Sequence, residues 1–310
     1  MNALYFCVFA DYHRFSGYPI GVDGLVQIID DAAAHGVQFV IHLGDLCHDA
    51  NYYSNFLSIY NENKYNIPVY HCIGNHELEG STPLAQVRQK YGMPANYYFE
   101  DFNGYRLIVL DTNYYINEYG KTVHMPPGHS TPTGTYHLGE KQLAWLEETI
   151  RASENPCLIF SHASLELPQG CRDALAVRQM ISTINEEHPG RVLMCLNGHY
   201  HRNNIAAHDG VVFFDVNAVY NGYWQNTPHK GFPEEYASSA RLASNVCVHK
   251  DPLHAFVRVT PQGEVDIEGM ETTYLYDVSP ESLGANSANS FGRKSEPRIS
   301  SYHQDAVWDV

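Results

Sequence analysis

Five short apolar runs, each followed by acidic, amide or histidine residues, restrict the possible folds more than any other feature of this sequence. The runs have the length of buried β-strands, and polar residues that directly follow a strand lie on loops at a sheet edge. Residues 4–10 precede Asp11 and His13, residues 37–43 precede Asp45, and residues 68–73 precede Asn75 and His76. Residues 157–160 precede His162, and residues 192–196 precede His199 and His201. His199 and His201 are two positions apart, so an extended backbone would point both side chains the same way. The pattern predicts one site built from several loops.

Helix-like segments separate the apolar runs. They cover residues 24–36, 140–153 and 172–188, and Gly36 is a plausible C-terminal cap of the first. Strands that alternate with helices of this length indicate a layered α/β domain, whose ligands bind past the carboxyl ends of the strands. Later runs at 211–218, 255–260 and 264–270 also have strand character, and the last two are expected to form a hairpin.

The domain organisation predicted from these patterns is simple. The chain has 310 residues, of which 44% are hydrophobic, and no repeat or linker divides it. We expect residues 1–276 to form the domain that contains the site. Residues 277–310 are polar and weakly patterned, so we expect a polar C-terminal extension that could act as a lid.

Charge and cysteine usage narrow the partners and the compartment. The net charge is −16 with histidine neutral, which disfavours long nucleic acids because these bind to clustered Lys and Arg. The seven cysteines show no CxxC spacing, and the N-terminus lacks the features of a signal peptide. No segment approaches the ~20 apolar residues that cross a bilayer. We therefore expect a soluble cytoplasmic protein with no membrane partner, and its oligomeric state is left open.

The polar residues at the strand ends have the composition of a metal site. They are Asp11, His13, Asp45, Asn75, His76, His162, His199 and His201. Imidazole, carboxylate and amide oxygen are ligands of divalent ions of borderline character. Any one of these residues alone would more often be a loop cap or a hydrogen-bonded bystander. Together they suffice for two ions if one carboxylate bridges, and Asp45 is expected to bridge because its two oxygens can face different ions. Such a centre would attract phosphate.

Five short motifs, in this order, resemble the calcineurin-like metallophosphoesterase superfamily. They are D-x-H at 11–13, G-D at 44–45, G-N-H-E at 74–77, the strand-end histidine at 162 and G-H-x-H at 198–201. Each motif alone is weak, but the ordered set is specific. The resemblance implies a four-layer α/β/β/α sandwich with two mixed sheets. It also implies a dinuclear phosphoesterase in which a metal-bound hydroxide attacks the phosphorus.

The resemblance further implies a role for each residue. The first metal ion would be held by Asp11, His13 and His201, the second by Asn75, His162 and His199, and Asp45 would bridge both. His76 would bind no metal and would stabilise charge on the phosphate or protonate the leaving oxygen. Asp45 and His76 are therefore the predicted catalytic residues.

One position departs from two well-known branches of this superfamily. Three residues after the bridging aspartate, purple acid phosphatases have an iron-binding tyrosine and Ser/Thr protein phosphatases have an aspartate that pairs with the catalytic histidine. This chain has His48 there, followed by Asp49. Both branches are therefore disfavoured, and two divalent ions of manganese, iron or zinc are expected. The residue that orients His76 is left open, with Asp49 and Glu77 as the candidates.

The substrate is less constrained than the metal centre. The expected substrates are small phosphomonoesters or phosphodiesters, nucleotides among them, and intracellular cyclic-nucleotide phosphodiesterases of the superfamily share the motifs. A long insertion at 113–136 and the aromatics Tyr220, Tyr223 and Trp224 could contact a nucleobase. Arg14, Arg172 and Arg202 could bind phosphate oxygens. Ordinary surface roles are at least as consistent with the sequence.

Two rival functions follow from the same motifs. A nuclease would share the metal chemistry, but the net charge of −16 argues against a long polyanion. A non-catalytic binding protein with this fold would be expected to lack several ligands, whereas every ligand position here is filled.

Overall fold

The computed structural model describes most of the chain. The described residues are 2–13, 22–47, 63–80, 82–128, 135–224, 231–234, 246–284 and 296–308, and of residues 222–224 only the backbone is described. No helix within these ranges combines the length and the apolar character needed to cross a bilayer.

Three of the helices lie on the segments predicted from the sequence. The helices are α1 (Asp23–Ala34), α2 (His76–Glu79), α3 (Leu84–Tyr91), α4 (Glu140–Arg151) and α5 (Ala174–Glu187). Helix α1 buries Leu25, Ile28, Ile29 and Ala32, whose spacing of three and four residues places them on one face. Gly36 follows the end of α1 with a φ of 66°, which agrees with its predicted role at the C-terminus.

Within the described residues the strands form two large sheets and two small sheets of two strands each. They are β1 (Leu4–Phe9), β2 (Phe39–His42), β3 (Val69–His71), β4 (Tyr98–Phe102), β5 (Tyr105–Val109), β6 (Tyr114–Ile116), β7 (Thr122–His124), β8 (Cys157–Ser161), β9 (Val192–Asn197), β10 (Asn204–His208), β11 (Val211–Asp215), β12 (Asn221–Trp224), β13 (Val246–Val248), β14 (Ala255–Val259), β15 (Val265–Glu268) and β16 (Tyr302–Gln304). The small sheets are β6–β7 and β12–β13.

Both large sheets are mixed. The first has the order β16-β15-β14-β1-β2-β3, with β1, β2 and β3 parallel and the other neighbours antiparallel. The second has the order β10-β11-β9-β8-β5-β4, with four parallel strands between two antiparallel edge strands. The predicted α/β class with two mixed sheets is confirmed, and so is the predicted hairpin of β14 and β15.

Alternate residues of each strand enter different apolar cores. Phe6 and Val8 of β1 pack between the two sheets with Leu158 and Phe160 of β8. The opposite face of the first sheet packs on α1. The opposite face of the second sheet packs on α4 and α5. These cores are those expected of helices outside two facing sheets, and the strict four-layer order stays a prediction.

The carboxyl ends of the central strands of both sheets meet at one edge of the molecule. The backbone N–H of Asp11, after β1, donates to the carbonyl of Gly44, after β2, over 3.0 Å. In the second sheet the N–H of Gly198, after β9, donates to the carbonyl of His162, after β8, over 2.9 Å. The N–H of His199 then donates to Oδ2 of Asp11 over 2.8 Å, which joins the two sheets. The predicted site loops are thus held together by backbone hydrogen bonds.

Part of the region predicted as a polar extension belongs to the first sheet. Strand β16 pairs antiparallel with β15, so that Tyr302 lies opposite Ile267. The side chain of Gln304 donates to the carbonyls of Gly210 and Gly263 over 3.1 and 3.0 Å. Residues 296–308 therefore complete an edge of the fold, while the domain boundary at residue 276 and a lid role stay predictions.

Candidate metal centre

All eight polar side chains predicted at the strand ends come together in the structure, and we call them the strand-end cluster. Asp11 and His13 follow β1, Asp45 follows β2, and Asn75 and His76 begin α2 after β3. His162 directly follows β8, and His199 and His201 follow β9. Three groups of side chains each present donor atoms within 4.8 Å of one another, namely Asp11, His13 and His201, then His13, Asp45 and His76, then Asp45, His162 and His199.

The backbone of the cluster has unusual conformations. Five of its residues have φ in the left-handed region, namely Asp11 at 55°, His13 at 54°, Asp45 at 61°, His199 at 72° and His201 at 48°. Asp and His adopt this region more often than most residues, but it still costs about 1 kcal/mol or more for each. Such strain concentrates at functional sites because there the surrounding structure imposes it.

Gly74 gives Asp45 the space it occupies. A Cβ atom added at Gly74 would clash with Oδ1 and the backbone nitrogen of Asp45. The glycine of the G-N-H-E motif is therefore required by the close approach of the loop after β2, and any larger residue would displace the carboxylate.

The first group of donors surrounds a buried carboxylate. Oδ1 of Asp11 lies 3.6 Å from Nε2 of His13 and 3.5 Å from Nε2 of His201, and the two imidazole nitrogens are 2.8 Å apart. Asp11 is fully buried, and its Oδ1 has no hydrogen-bond donor among the described residues. A buried anionic oxygen without a donor, facing two imidazoles, is the environment in which a bound cation would replace the missing donor.

The second and third groups of donors share the carboxylate of Asp45. Its Oδ2 lies 3.2 Å from Nε2 of His162, 3.8 Å from Nε2 of His13 and 3.7 Å from Nε2 of His76. Nε2 of His162 is in turn 3.2 Å from Oδ1 of Asn75 and 3.1 Å from Nδ1 of His199. Asp45 therefore lies between the imidazoles predicted to hold the first ion and those predicted to hold the second.

We expected Asp45 to bridge through both of its carboxylate oxygens, but only one of them faces the imidazoles. Oδ1 of Asp45 accepts a hydrogen bond from the backbone N–H of His76 over 2.8 Å. The single oxygen Oδ2 is therefore the one that faces imidazoles of both predicted ion sites, whereas one oxygen for each ion was expected.

Carbonyl groups of the backbone fix which nitrogen of two histidines faces the cluster. Nδ1 of His162 lies 2.8 Å from the carbonyl of Leu43, and Nδ1 of His201 lies 2.7 Å from the carbonyl of Asn221. A carbonyl can only accept, so each Nδ1 bears the proton and donates. Nε2 of both rings is then directed at the cluster, in the arrangement typical of metal-binding histidines.

The electrostatics keep two of the donors, Asp45 and His199, in the protonation states that metal ions need. Burial raises the pKa of Asp45, but the imidazoles of His162 and His76 lower it well below its usual range. Burial and the neighbouring His162 lower the pKa of His199 to about 3. The pKa of His162 is lowered by burial but raised by Asp45, with a net rise to about 9. The carboxylate is thus ionised, and His199 is neutral at pH 7 with a lone pair available.

His76 has a carboxylate partner that the sequence argument did not identify. Its Nδ1 lies 2.8 Å from Oε2 of Glu79, three residues further along α2. The carboxylate of Glu77, one of the two expected partners, instead accepts hydrogen bonds from the backbone N–H groups of Asp45, Leu46 and Gly74 and from the hydroxyl of Tyr91. Of the two candidates, Glu77 is therefore not the orienting residue, because its side chain ties the loops after β2 and β3 together. Asp49 and His48 lie outside the described residues.

Two contacts of the long insertion, one of them with the strand-end cluster, were not predicted from the sequence. The ring of Tyr136 lies edge-on to His199, with 4.4 Å between the ring centroids. Nε2 of His124 lies 2.8 Å from Oδ2 of Asp111, a buried carboxylate that follows β5. Both residues belong to the long insertion, where no periodicity or motif marks them.

Of the residues that the sequence suggested for substrate binding, the structure describes the side chains of Tyr220, Arg172 and Arg202. Tyr220 is buried, with its ring edge-on to Tyr12 at 5.3 Å, so it cannot stack on a nucleobase. Arg202 is buried 5.5 Å from the ring centroid of Tyr200, and Arg172 is exposed. Arg14 and the side chains of Tyr223 and Trp224 lie outside the described residues.

Comparison with known proteins gives three similarities. A family model described as calcineurin-like phosphoesterase matches residues 4–203, which include the whole strand-end cluster. The manganese-dependent ADP-ribose/CDP-alcohol diphosphatase of Arabidopsis thaliana is 26% identical over 257 residues, which cover 68% of this chain and 79% of the plant protein. The crystal structure of a dimetal phosphatase from Danio rerio has a TM-score of 0.58 at 15% identity, and the match covers 87% of this chain and 98% of that one.

Proposed function

Because the chain belongs to the calcineurin-like phosphoesterase family and is a metal-dependent phosphoric ester hydrolase, we propose that its strand-end cluster binds two divalent ions and hydrolyses small phosphate compounds. The observation that carries the proposal is the position of Asp45, whose Oδ2 lies 3.8 Å from Nε2 of His13 and 3.2 Å from Nε2 of His162. One carboxylate oxygen is thus within reach of both groups of donors.

The residues fit the ions that the family implies. Carboxylate, imidazole and amide oxygen suit manganese, iron and zinc alike. Asp11, His13 and His201 would hold one ion, Asn75, His162 and His199 the other, and Asp45 would contact both. When bound, two such ions supply positive charge to the phosphate and activate water at neutral pH.

The chain itself contributes orientation and a proton donor. The backbone N–H groups of His199 and His76 each occupy one oxygen of Asp11 and Asp45, over 2.8 Å in both cases, and so fix the direction of the other oxygen. His76 directs Nε2 towards Oδ2 of Asp45 over 3.7 Å and is partly exposed, with 17% of its side chain accessible. In this position Nε2 would donate a proton to the leaving oxygen of the ester.

We infer that nucleoside diphosphate esters are the first substrate class to test. The support is the name of the Arabidopsis relative, a manganese-dependent ADP-ribose/CDP-alcohol diphosphatase. Manganese is the metal to load first for the same reason. The cyclic-nucleotide alternative loses part of its support, because Tyr220 is buried and cannot stack on a base.

The cytoplasm remains the proposed location. All seven cysteines are free and buried, which supports a compartment that keeps thiols reduced.

Hydrolysis assays on metal-stripped and manganese-loaded protein test the proposed function. We would offer p-nitrophenyl phosphate, bis-p-nitrophenyl phosphate, ADP-ribose and CDP-choline, and compare the four values of kcat/KM. Manganese-dependent turnover with a clear preference is the expected result, and the preferred compound separates monoesterase, diesterase and diphosphatase. Asp45→Asn and His201→Ala should lose nearly all activity.

Metal analysis separates the rival binding-protein function. The proposal expects two ions per chain in the loaded wild type and fewer in Asp45→Asn. A loaded protein with no more than background metal and no turnover of any of the four compounds would favour the non-catalytic alternative.

A further inference from the structure

The two imidazole nitrogens of His76 face two different carboxylates. Nε2 points into the strand-end cluster, 3.7 Å from Oδ2 of Asp45. Nδ1 points away from it and lies 2.8 Å from Oε2 of Glu79. The ring also lies edge-on to His13, with 4.8 Å between the centroids. His76 is therefore held between the metal centre and a glutamate outside it.

Helix geometry places Glu79 at this position. Residues three apart on a helix lie on the same face, and Glu79 is three residues after His76 in α2. Glu77 is on the other side of α2, where it is buried and accepts its four hydrogen bonds. Of the two glutamates in this helix, only Glu79 thus faces the imidazole.

The contact has the length of a charge-assisted hydrogen bond. The geometry at Nδ1 does not satisfy a hydrogen bond, so in this structure the imidazole and the carboxylate make a short polar contact. Hydrogen bonds of catalytic groups are often poorly aligned without substrate and tighten when substrate binds. Both side chains are partly exposed, at 17% and 23%, and therefore have room to adjust.

We propose that Glu79 is the positioning residue of His76. Its carboxylate holds Nδ1, which keeps Nε2 directed at the leaving oxygen of the bound ester. This inference rests on the proposed function, in which His76 donates that proton. Glu79 lies outside the five motifs of the sequence, the nearest of which ends at Glu77.

The test compares leaving groups of different quality. A general acid matters most when the leaving oxygen is strongly basic, so phenyl phosphate depends on it more than p-nitrophenyl phosphate does. Glu79→Gln should lower kcat for phenyl phosphate roughly tenfold with KM within about twofold, a size typical of losing an orienting partner. The decrease in kcat for p-nitrophenyl phosphate should be about threefold or less. Glu79→Asp should recover part of the kcat for phenyl phosphate, because it keeps a carboxylate.

A double variant shows whether Glu79 acts through His76. In a His76→Ala background, adding Glu79→Gln should cause no further loss, because the group that Glu79 orients is absent. Glu147→Gln is the matched control, since Glu147 pairs with Arg151 at 2.9 Å on the surface of α4, and it should leave both rates unchanged. Equal losses on both esters, or losses that multiply in the double variant, would overturn the proposal.

A second readout does not depend on turnover. In zinc-loaded protein, the ¹⁵N resonance of His76 Nδ1 should show a bound proton, and it should shift in Glu79→Gln but not in Glu147→Gln. An unchanged resonance in Glu79→Gln would refute the positioning role even in an active enzyme. A wild type that hydrolyses no ester but shows the shift would contradict the proposed function and leave the His76–Glu79 contact supported.

Discussion

At the scale of single residues, the strand-end cluster combines chemical donors with strained backbone. Five of its residues have left-handed φ, and Gly74 leaves room for Asp45 only because it lacks a side chain. These features lower stability, since each left-handed side chain costs about 1 kcal/mol or more. They persist because they direct the donor atoms at one point.

Gly74→Ala tests the steric part of this arrangement. The added methyl group would displace Asp45, so we expect the affinity for manganese to fall by roughly tenfold or more, as for other changes in residues that orient metal ligands. Gly36→Ala is the control, because a Cβ there meets nothing within 4 Å and only the strain of φ 66° is added. The control should lower the free energy of unfolding by about 1 kcal/mol and leave manganese affinity unchanged. Equal affinities for both variants, measured by calorimetry, would contradict the steric role of Gly74.

A buried histidine outside the cluster makes stability depend on pH. His42 is fully buried in β2, and burial lowers its pKa to about 3. Between pH 6.5 and 3 the unfolded chain binds a proton at His42 that the folded chain does not, so this contribution to stability is present above pH 6.5 and is lost as the pH falls. From pH 7 to 5.5 it amounts to about 1 kcal/mol. Urea unfolding of metal-free protein measures the free energy of unfolding at pH 7 and at pH 5.5. The decrease between the two pH values should be about 1 kcal/mol smaller in His42→Gln than in the wild type. An equal decrease in both proteins would contradict the assignment to His42.

At the scale of secondary structure elements, the C-terminal residues 296–308, which include β16, join the two large sheets at the edge opposite the metal centre. The indole of Trp308 lies against Gly190, Gly210 and Gly263, which precede the parallel strands β9 and β11 and the strand β15. The backbone N–H of Trp308 donates to the carbonyl of Gln262 over 2.9 Å. The C-terminal residues that the structure describes thus contact turns of both sheets.

Trp308→Ala should weaken the fold without affecting the chemistry. The indole is partly buried, so we expect a loss of about 2 kcal/mol in the free energy of unfolding, less than the 3–5 kcal/mol of a core tryptophan. The value of kcat with manganese should stay within about twofold of the wild type, because the residue touches nothing in the cluster. Denaturant unfolding and a single substrate assay decide both points, and an unchanged stability would show that the contact contributes nothing.

The elements that could be predicted from the sequence are those whose buried positions are marked by continuous or periodic apolar residues. Strands β1, β2, β8 and β9 and helices α1, α4 and α5 belong to this class, and the polar residues after the strands revealed where the loops converge. Strand β16 was not predicted, since its pairing uses backbone hydrogen bonds and its three residues are polar or only partly buried.

The contacts of His76 and Tyr220 show where sequence reasoning ends. Glu77 and Glu79 both follow His76, and only the turn of α2 decides which one faces the imidazole. Tyr220 follows an apolar strand and so resembles a rim aromatic, but it packs against Tyr12. Long-range packing decided both cases, and a single sequence contains no record of it.

At the scale of the whole molecule, metal binding should stabilise the fold. The cluster draws its donors from loops of both sheets, so an ion bound there would link the sheets and bind the folded state only. At free manganese one hundred times Kd, the gain is about 2.7 kcal/mol for one site. Thermal melts with and without manganese should show a Tm several degrees higher for the loaded wild type and little change for Asp45→Asn. The same shift in both proteins would place the stabilising ion elsewhere.

The left-handed backbone of the cluster has a consequence for how the family can evolve. Asn tolerates this conformation about as well as Asp and has nearly the same shape. At Asp11 and Asp45 a change of one nucleotide, from an Asp codon to an Asn codon, would therefore remove a negative charge with little disturbance of the loop. A lineage with this architecture can lose catalysis in one mutational step and retain the intact surface on which selection for binding partners could then act.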